Sequence, residues 1–431
     1  MRFTPWATRL ALTLSLSATT FLTACGGGGS DGGGNANVRL LNATRSYNSL
    51  SLEVADKKIN ADVAYAGVGE YGSVDINSTT RVLINPVGTS IYAATPTLTA
   101  GSDYTYITYG FSGAIRTTVL QETETAPEAT KAKLLVLNLA PDAGAVDVYV
   151  TAAGDDLATA SPLVSNLSAG SGYQQINSGT FRVRVTGVNR RGEDLRLDIP
   201  AVTLDSASVN TLLLTSTDGG VLVNGITLVQ KGAAKSFPAS QSRVRTVAAL
   251  TAGGTVTSSV NGTPMWTAPA TSPLISSYVT TAAGASTLAT TINGAPVTFT
   301  APTLVAGKDY TLLVWGSAAA PQMTVLDDDN RLPAVAGNVK IRQVNALPTV
   351  TSSLNVDFTS IASNVASGTS STFANISSST ASQVEVSVSS SATPIFNNNN
   401  TTLAFPANSV WTFFSVPTAA GGMTAVPRRE R

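Results

Sequence analysis

The chain has 431 residues, of which 43% are hydrophobic and 12% are charged, with 26 basic and 26 acidic side chains. Because single domains usually contain about 100 to 200 residues, this length predicts several hydrophobic cores. The balanced charge excludes the basic surface that nucleic-acid binding requires. The lack of histidine and the presence of one cysteine exclude Ser-His-Asp and Cys-His nucleophiles, His/Cys zinc sites and an intrachain disulfide. No cofactor site is therefore predicted.

Residues 1–24 are typical of a signal peptide. Arg2 and Arg9 provide a positive start, and residues 10–22 are mostly apolar and carry no charge. This apolar stretch is too short for a transmembrane helix, which needs about 20 residues. The pattern predicts export.

The end of this segment, Leu22-Thr23-Ala24-Cys25, resembles the lipobox of bacterial lipoproteins. The resemblance implies cleavage before Cys25 and acylation of this cysteine, and Gly26 after it implies sorting to the outer membrane. Residues 25–36 are rich in glycine and predict a flexible tether. The alternative is an ordinary secretory signal followed by an unrelated cysteine.

The next feature is an internal repeat. The segment ATPTLTAGSDYTYITYG at residues 94–110 recurs as TAPTLVAGKDYTLLVWG at residues 300–316, an offset of 206 residues. Aromatic markers divide this period again, since Tyr71, Tyr173, Tyr278 and Phe373 follow one another every 95 to 105 residues. We predict four modules, at residues 37–127, 132–231, 242–334 and 337–428.

Alternating apolar and polar residues predict β-strands in every module. In the first, Leu50, Leu52 and Val54 alternate with polar residues. A closed barrel and a two-sheet sandwich both fit about 100 residues. The spacing Leu-x-x-Gly-x-x-Tyr, which ends at Tyr104 and Tyr310, resembles the corner tyrosine of immunoglobulin-like sandwiches. We therefore expect an all-β chain of tandem immunoglobulin-like β-sandwich modules.

The second module resembles a known family. Residues 133–150, KLLVLNLAPDAGAVDVYV, are followed by Tyr173 and by the turn and strand GTFRVRV at residues 179–185. These motifs are similar to those of the domain of unknown function 4397. The resemblance implies a secreted or cell-surface bacterial protein with tandem domains, and no common activity. Modules one and three lack the Pro-Asp-Ala turn of this family.

Two residues are candidate ligand contacts. Asp142 lies in the Pro-Asp-Ala-Gly segment, which is more simply a tight turn, and Trp266 lies in a Thr/Pro/Gly-rich stretch as the best candidate for an exposed contact. Asp147 alternates with valines and is expected to be an exposed strand residue rather than a catalytic carboxylate.

The densest acidic cluster is Asp327-Asp328-Asp329, which suggests calcium, although its spacing does not match a calcium loop. The equivalent place in module one holds Glu122 and Glu124, so a solvated loop is expected in both copies. A weak calcium site in module three stays open.

Several aromatic residues suggest a sugar-stacking surface as an alternative to core packing. Tyr104 and Tyr106 share one face of a predicted strand, whereas Tyr109 lies on the other. Trp315 occupies the place of Tyr109 in the second copy, and Trp411 falls in the equivalent strand of module four. Repetition at the same strand positions favours the core.

These features together predict a lipid-anchored, non-enzymatic envelope protein whose modules bind protein or glycan, located at the outer membrane and facing the periplasm or the cell exterior. The alternative is a structural spacer without a ligand. An enzyme is the third hypothesis, and it survives only as paired-carboxylate, glycosidase-like chemistry. Extended, separate modules would favour the binding protein, and one body with large buried interfaces would favour the spacer.

Overall fold

The computed structural model describes residues 33–191, 193–398 and 402–431. The predicted signal peptide and Cys25 lie outside these residues. Strands account for 58% of the residues and helix for 1%, which confirms the all-β prediction. No helix within the described ranges has the length and apolar character needed to cross a bilayer.

The strands pair within four consecutive groups, which we call modules one to four. Module one contains β1 (Asn35–Asn42), β2 (Ser49–Val54), β3 (Lys57–Ala64), β4 (Gly72–Asp75), β5 (Thr80–Ile84), β6 (Ser90–Ala94), β7 (Asp103–Tyr109) and β8 (Arg116–Gln121). Module two contains β9 (Lys131–Leu139), a 3₁₀ helix (Pro141–Ala143), β10 (Val146–Thr151), β11 (Val164–Leu167), β12 (Gly170–Asn177), β13 (Gly179–Gly187), β14 (Leu195–Leu204), β15 (Val209–Ser216), β16 (Val223–Val229) and β17 (Ala234–Phe237).

Module three contains β18 (Gln241–Thr251), β19 (Thr255–Val260), β20 (Thr263–Pro264), β21 (Ala270–Thr271), β22 (Leu274–Ile275), β23 (Val279–Ala282), β24 (Gly284–Ala285), β25 (Leu288–Ile292), β26 (Ala295–Val297), β27 (Thr303–Leu304), β28 (Asp309–Ser317) and β29 (Ala320–Asp328). Module four contains β30 (Asn338–Asn345), β31 (Ser352–Val356), β32 (Thr359–Val365), β33 (Thr369–Ser370), β34 (Ala374–Ser377), β35 (Ser379–Ser382), β36 (Val384–Val388), β37 (Phe396–Asn397), β38 (Leu403–Phe405), β39 (Ser409–Pro417) and β40 (Met423–Arg429).

Each module is a β-sandwich of two principal sheets. The inner sheet contains the first strand of the module in parallel pairing with a late strand, as in β1 with β7, β9 with β15, β18 with β28 and β30 with β39. The outer sheet has the order β3-β2-β5-β6 in module one and β32-β31-β36-β37 in module four. Apolar side chains that alternate along the strands fill the space between the sheets, as Leu50, Leu52 and Val82 do in module one.

The predicted corner tyrosines are present in modules one and three. The Tyr104 hydroxyl accepts a hydrogen bond from the Thr99 N–H at 2.9 Å, and the Tyr310 hydroxyl accepts one from the Val305 N–H at 3.0 Å. The ring of each tyrosine is buried in the core of its module. The hydroxyl thus satisfies a backbone donor at the corner, as the sandwich prediction requires.

The inner sheets pack against each other in two pairs. One apolar cluster joins modules one and two, and we call it joint one; it contains Leu41, Ala43, Ala66, Ile107, Leu139, Leu213, Ile226 and Leu228. A second cluster joins modules three and four, and we call it joint two; it contains Val247, Ala249, Leu313, Leu326, Val344, Ala346, Phe414 and Val416. The modules of each pair therefore share a buried interface.

Two boundaries differ in detail from the sequence pattern. The strand β1 begins at Asn35, inside the predicted tether. The strand β17 lies between the predicted bounds of modules two and three, and it pairs with β16 because its alternation places Phe237 against the core of module two.

Candidate functional site

The outward faces of the four outer sheets differ in how they are covered. In module one, Arg81 lies opposite Glu53 in the strand register and donates hydrogen bonds to Glu53, at 3.5 Å, and to Asp56. In module two, the buried Arg184 donates at 2.9 Å both to Thr151 and to the backbone oxygen of Asp155 in the segment after β10. Ion pairs close the first face, and a loop covers the second.

The outer face of module three carries an open groove of about 500 Å³. The chain between β19 and β22 forms an arch, because β20 and β21 both pair with β19 and leave residues 265–269 between them. The arch places Trp266 over the sheet, and the groove runs between the arch and β25. The groove is lined by Thr257, Ser258, Ser259, Pro264, Trp266, Thr267, Ala268, Pro269, Leu288, Ala289, Thr290, Thr291, Pro296, Val297 and Thr298.

Trp266 is half-buried, and its indole N–H donates to the Val256 backbone oxygen at 2.8 Å. The ring also packs against the core of module three. The sequence predicts an exposed contact at this position, whereas the structure shows an anchored ring that lines a groove. Its role as a ligand contact stays a prediction.

Hydroxyl groups form the polar part of this groove. The Thr257 and Thr291 hydroxyls lie 2.6 Å apart across β19 and β25. Every residue that lines the groove is uncharged. The groove therefore offers an aromatic ring, proline rings and hydroxyl groups, a combination suited to an uncharged ligand that is rich in hydroxyls.

The second candidate, Asp142, lies in the predicted tight turn, which the structure forms as a short 3₁₀ helix. Its side chain is 1% exposed and accepts hydrogen bonds from the Ser216 hydroxyl and the Leu332 N–H, both at 2.8 Å. Arg431 donates to the backbone oxygen of Asp142. Asp142 thus connects module two with the chain segment between modules three and four, and its role as a ligand contact stays a prediction.

The expected exposure of Asp147 is wrong. Its carboxylate is buried and accepts from the N–H groups of Asn166 and Asn189 at 2.8 and 2.9 Å. Because β11 and the turn after β13 place backbone donors against Asp147, its side of β10 is covered, and alternation alone does not reveal that cover.

The acidic cluster of module three is a set of ion pairs rather than a solvated loop. Asp327 pairs with Lys308 at 2.8 Å, Asp328 with Arg342, and Asp329 with Arg331 at 2.8 Å. The expectation of a solvated loop is wrong for Asp328 and for its counterpart Glu122, since both are buried. Within the described ranges, no three acidic residues converge in an arrangement suited to a metal ion.

The aromatic residues of the late inner strands belong to cores and joints, as their repetition predicts. Tyr104 and Tyr106 are buried in module one, and Trp411 is buried in module four. Tyr109 packs against joint one, and Trp315 packs against joint two, where its indole N–H donates to Thr324 at 3.1 Å.

The buried arginines at the joints were not identified from the sequence. In joint one, Arg39 contacts both carboxylate oxygens of Glu122, at 2.9 and 3.1 Å, and donates to Thr105 at 2.9 Å. Its guanidinium lies 4.5 Å from the ring centre of Tyr71. It also donates to the Gly232 backbone oxygen at 2.8 Å, which connects module one with module two.

Joint two repeats this arrangement with ion pairs that cross between modules. Arg245 of module three binds both carboxylate oxygens of Glu430 of module four at 2.8 Å. Arg342 of module four pairs in turn with Asp328 of module three. Burial raises the pKa of Asp328, but Arg342 and Arg245 outweigh it and hold this pKa below its usual value.

A signal for these residues exists in the repeat. Arg39 and Arg245, Thr105 and Thr311, and Glu122 and Asp328 each lie 206 residues apart, the same offset as the duplicated segment. Charged and hydroxyl residues repeated at this offset indicate a polar network that both copies retain. The partner of each arginine is not readable from the offset, because Glu430 replaces Asp328 as the partner of Arg245.

Two solved structures share weak similarity with this chain. One is the crystal structure of CBMbc (family CBM26) from Eubacterium rectale Amy13K in complex with maltoheptaose, with 13% identity, a TM-score of 0.16, and coverage of 46% of this chain and 97% of that chain. The other is the Bacillus anthracis TIE protein, with 10% identity, a TM-score of 0.14, and coverage of 91% and 69%. None of the curated proteins matches the chain in sequence.

A family model matches the sequence twice, at residues 36–149 and 242–353. The two matches begin 206 residues apart, so they follow the internal duplication. Each covers a whole odd-numbered module and the first strands of the next, whereas the sequence motifs point mainly to module two. Together the matches span just over half of the chain, which belongs to the family described as Domain of unknown function (DUF4397).

Proposed function

We propose that the protein is a lipid-anchored, non-enzymatic envelope protein that binds a neutral glycan in the groove of module three. The observation that carries the proposal is the open groove of about 500 Å³ beside Trp266. In this groove, free space lies beside an aromatic ring that a hydrogen bond to Val256 holds in place.

The chemistry of the lining selects the ligand class. A sugar ring has an apolar C–H face, which packs on an indole or a proline ring, and a periphery of hydroxyl groups, which bond to Thr and Ser. The lining carries no charge that would recognise a phosphate, a carboxylate or an ammonium group. A proline-rich peptide is the competing ligand, because it also packs on aromatic and proline rings.

The membrane part of the proposal comes from the sequence. Cys25 within the lipobox is the residue that would carry the acyl chains, and two or more chains give stable anchoring where one is marginal. Fractionation of the bacterium tests this step. We expect the wild-type chain in the outer membrane fraction and the Cys25→Ser variant outside it, and equal distribution of the two would overturn the anchor.

A specific observation favours a second candidate function. The apolar clusters and buried ion pairs of joints one and two bind neighbouring modules to each other, as an envelope-structural component would require. A sugar-binding measurement distinguishes the glycan-binding protein from the structural component, because a structural component would bind no soluble sugar.

The test uses the chain from residue 26 onward without its lipid. Isothermal titration with neutral α-1,4-, β-1,3- and β-1,4-glucan oligosaccharides is expected to show binding that Trp266→Ala weakens by roughly tenfold or more, since aromatic contacts dominate such sites. Arg81→Ala, on the closed outer face of module one, is the matched control and leaves binding unchanged. If the chain binds none of these sugars but binds a proline-rich peptide, the ligand of the groove is a protein segment and not a glycan.

A further inference from the structure

We propose that the outer face of module four is a second binding site for a neutral glycan, centred on Phe358. This inference rests on the proposed function of module three and extends it from one site to two. The inference starts from Phe358, a side chain that does not contribute to the core of the module.

Phe358 is 92% exposed at the tip of the β31–β32 hairpin. It adopts a positive φ of 62°, a conformation that a bulky side chain disfavours. The equivalent hairpins hold Asp56 in module one and Gly262 in module three. A phenylalanine at this position contributes no core packing, and both its exposure and its backbone conformation are unfavourable for folding. The combination of an exposed aromatic ring and an unfavourable backbone conformation points to contact with a ligand.

A row of polar side chains lies beside this ring. Asn355, Glu385 and Asn397 are direct neighbours across β31, β36 and β37. Together with Gln383 and Phe358 they line a cavity of about 160 Å³. Amide and carboxylate groups at the spacing of adjacent strands match the repeated hydroxyl groups of a sugar.

Charge narrows the class of ligand. The cavity contains the carboxylate of Glu385 and no basic side chain among the residues that line it. An anionic polymer would be repelled, and a phosphate would have no cation to pair with. The aromatic ring and the amides therefore favour a neutral glycan over an anionic one.

The equivalent positions in the other modules support this reading. Glu53 and Arg81 of module one occupy the places of Asn355 and Glu385, and they form an ion pair across the face. In module three the same places hold Ser259 and Ala289, which line the groove of Trp266. Modules three and four thus keep the same face open, and each presents one aromatic ring there.

Two sites on neighbouring modules change how a polymer is held. Joint two packs the inner sheets of modules three and four together, so their outer faces point away from each other and the two sites can hold two separate chains of a cell wall. Simultaneous binding raises the apparent affinity for the polymer by about 10² to 10⁴ over that for a short oligosaccharide when the geometry allows it.

The experiment titrates the whole chain from residue 26 with the same neutral α-1,4-, β-1,3- and β-1,4-glucan oligosaccharides. We expect two oligosaccharides per chain for the wild type and one for Phe358→Gly. This variant introduces the residue that module three has at the same turn, so the fold is kept and its unfolding temperature stays equal or rises. Val87→Ala, which truncates an exposed apolar side chain on module one, is the control and retains two sites.

The outcomes separate the two proposals. A single site in the wild type that Trp266→Ala removes and Phe358→Gly leaves intact would overturn the second site and keep the function of module three. A single site that Phe358→Gly removes and Trp266→Ala leaves intact would confirm the binding site of module four and overturn that of module three. Binding of an anionic polymer such as alginate at the Phe358 site, without binding of neutral sugars, would overturn the assigned ligand class.

Discussion

Joints one and two are built at the same place in the same fold, but they use charge differently. In joint one the buried ion pair is internal to module one, where Arg39 binds Glu122, and the pair that crosses to module two joins Asp103 to the half-exposed Lys231. Module two has Leu135 where the other modules have arginine, and Gln230 where they have an acidic residue. In joint two both modules keep arginine and acid, and Arg245–Glu430 and Arg342–Asp328 cross the interface in both directions.

This comparison shows how a repeated fold obtains a specific interface. An apolar cluster holds each pair together, but apolar contact is not directional. Two crossed ion pairs require each arginine to meet an acid of the other module, so they fix the register of modules three and four. In joint one, backbone groups of Lys231 and Gly232 take this role, because they bond to Glu122 and Arg39.

The largest expected effect comes from breaking a crossed pair. Glu430→Gln leaves the charge of Arg245 buried without its bidentate partner, and removal of one member of a buried pair costs about 3–5 kcal/mol. We expect the free energy of unfolding of modules three and four to fall by this amount. Tryptophan fluorescence during urea denaturation measures it, because Trp266, Trp315 and Trp411 all lie in these two modules.

The control for this variant is Glu193→Gln, which removes an exposed pair with Arg190 and should change stability by about 0–1 kcal/mol. Glu122→Gln breaks the pair of joint one and should leave the tryptophan transition unchanged, while far-ultraviolet circular dichroism shows earlier unfolding. An unchanged urea midpoint for Glu430→Gln would refute the importance of the crossed pair.

A smaller effect is expected when both partners are replaced by the residues that module two has. Arg245→Leu combined with Glu430→Gln removes the buried charge together with its partner, so the double variant should be more stable than Glu430→Gln alone. The expected coupling energy in the double-mutant cycle is about 0.5–3 kcal/mol. Strict additivity of the two single variants would show that the pair does not act as a unit.

The sequence predicts the local parts of this architecture but not the ion pairs that cross between modules. Period-two alternation and the repeated Leu-x-x-Gly-x-x-Tyr corner lead to the sandwich, because both act over a few residues. The pair Arg245–Glu430 joins residues 185 positions apart, and no local pattern encodes which acid meets which arginine. The exposed Phe358 is not identified from the sequence. The signal for it is an aromatic residue at a turn position, and it becomes visible only when this turn is aligned with that of module three, which has glycine there.

Acid should weaken joint two through Asp328. Its pKa is held below the usual value of 3.8, since Arg342 and Arg245 outweigh the effect of burial. A carboxyl group with a lowered folded pKa contributes stability that is present above about pH 4 and is lost as the pH falls through the folded pKa. We therefore expect the urea midpoint of the tryptophan transition to fall as the pH is lowered below about 4.

Asp328→Asn should be less stable at neutral pH and should show a weaker dependence on acid. Asp327→Asn is the matched control, because this neighbouring carboxylate is largely exposed and pairs with Lys308 at the surface. An acid dependence of Asp328→Asn as steep as that of the wild type would assign the effect to other carboxyl groups.

The smallest effect tests what the two module pairs share. Tyr104→Phe and Tyr310→Phe each remove one hydroxyl that accepts from a backbone N–H at the sheet corner. A net hydrogen bond contributes about 1 kcal/mol, so each variant should lose about this much stability. Circular dichroism follows the first variant and tryptophan fluorescence follows the second. Equal losses would show that the corner is set within a module, independently of how its joint is charged, whereas a larger loss for Tyr310→Phe would mean that the crossed ion pairs of joint two transmit local damage from module three to module four.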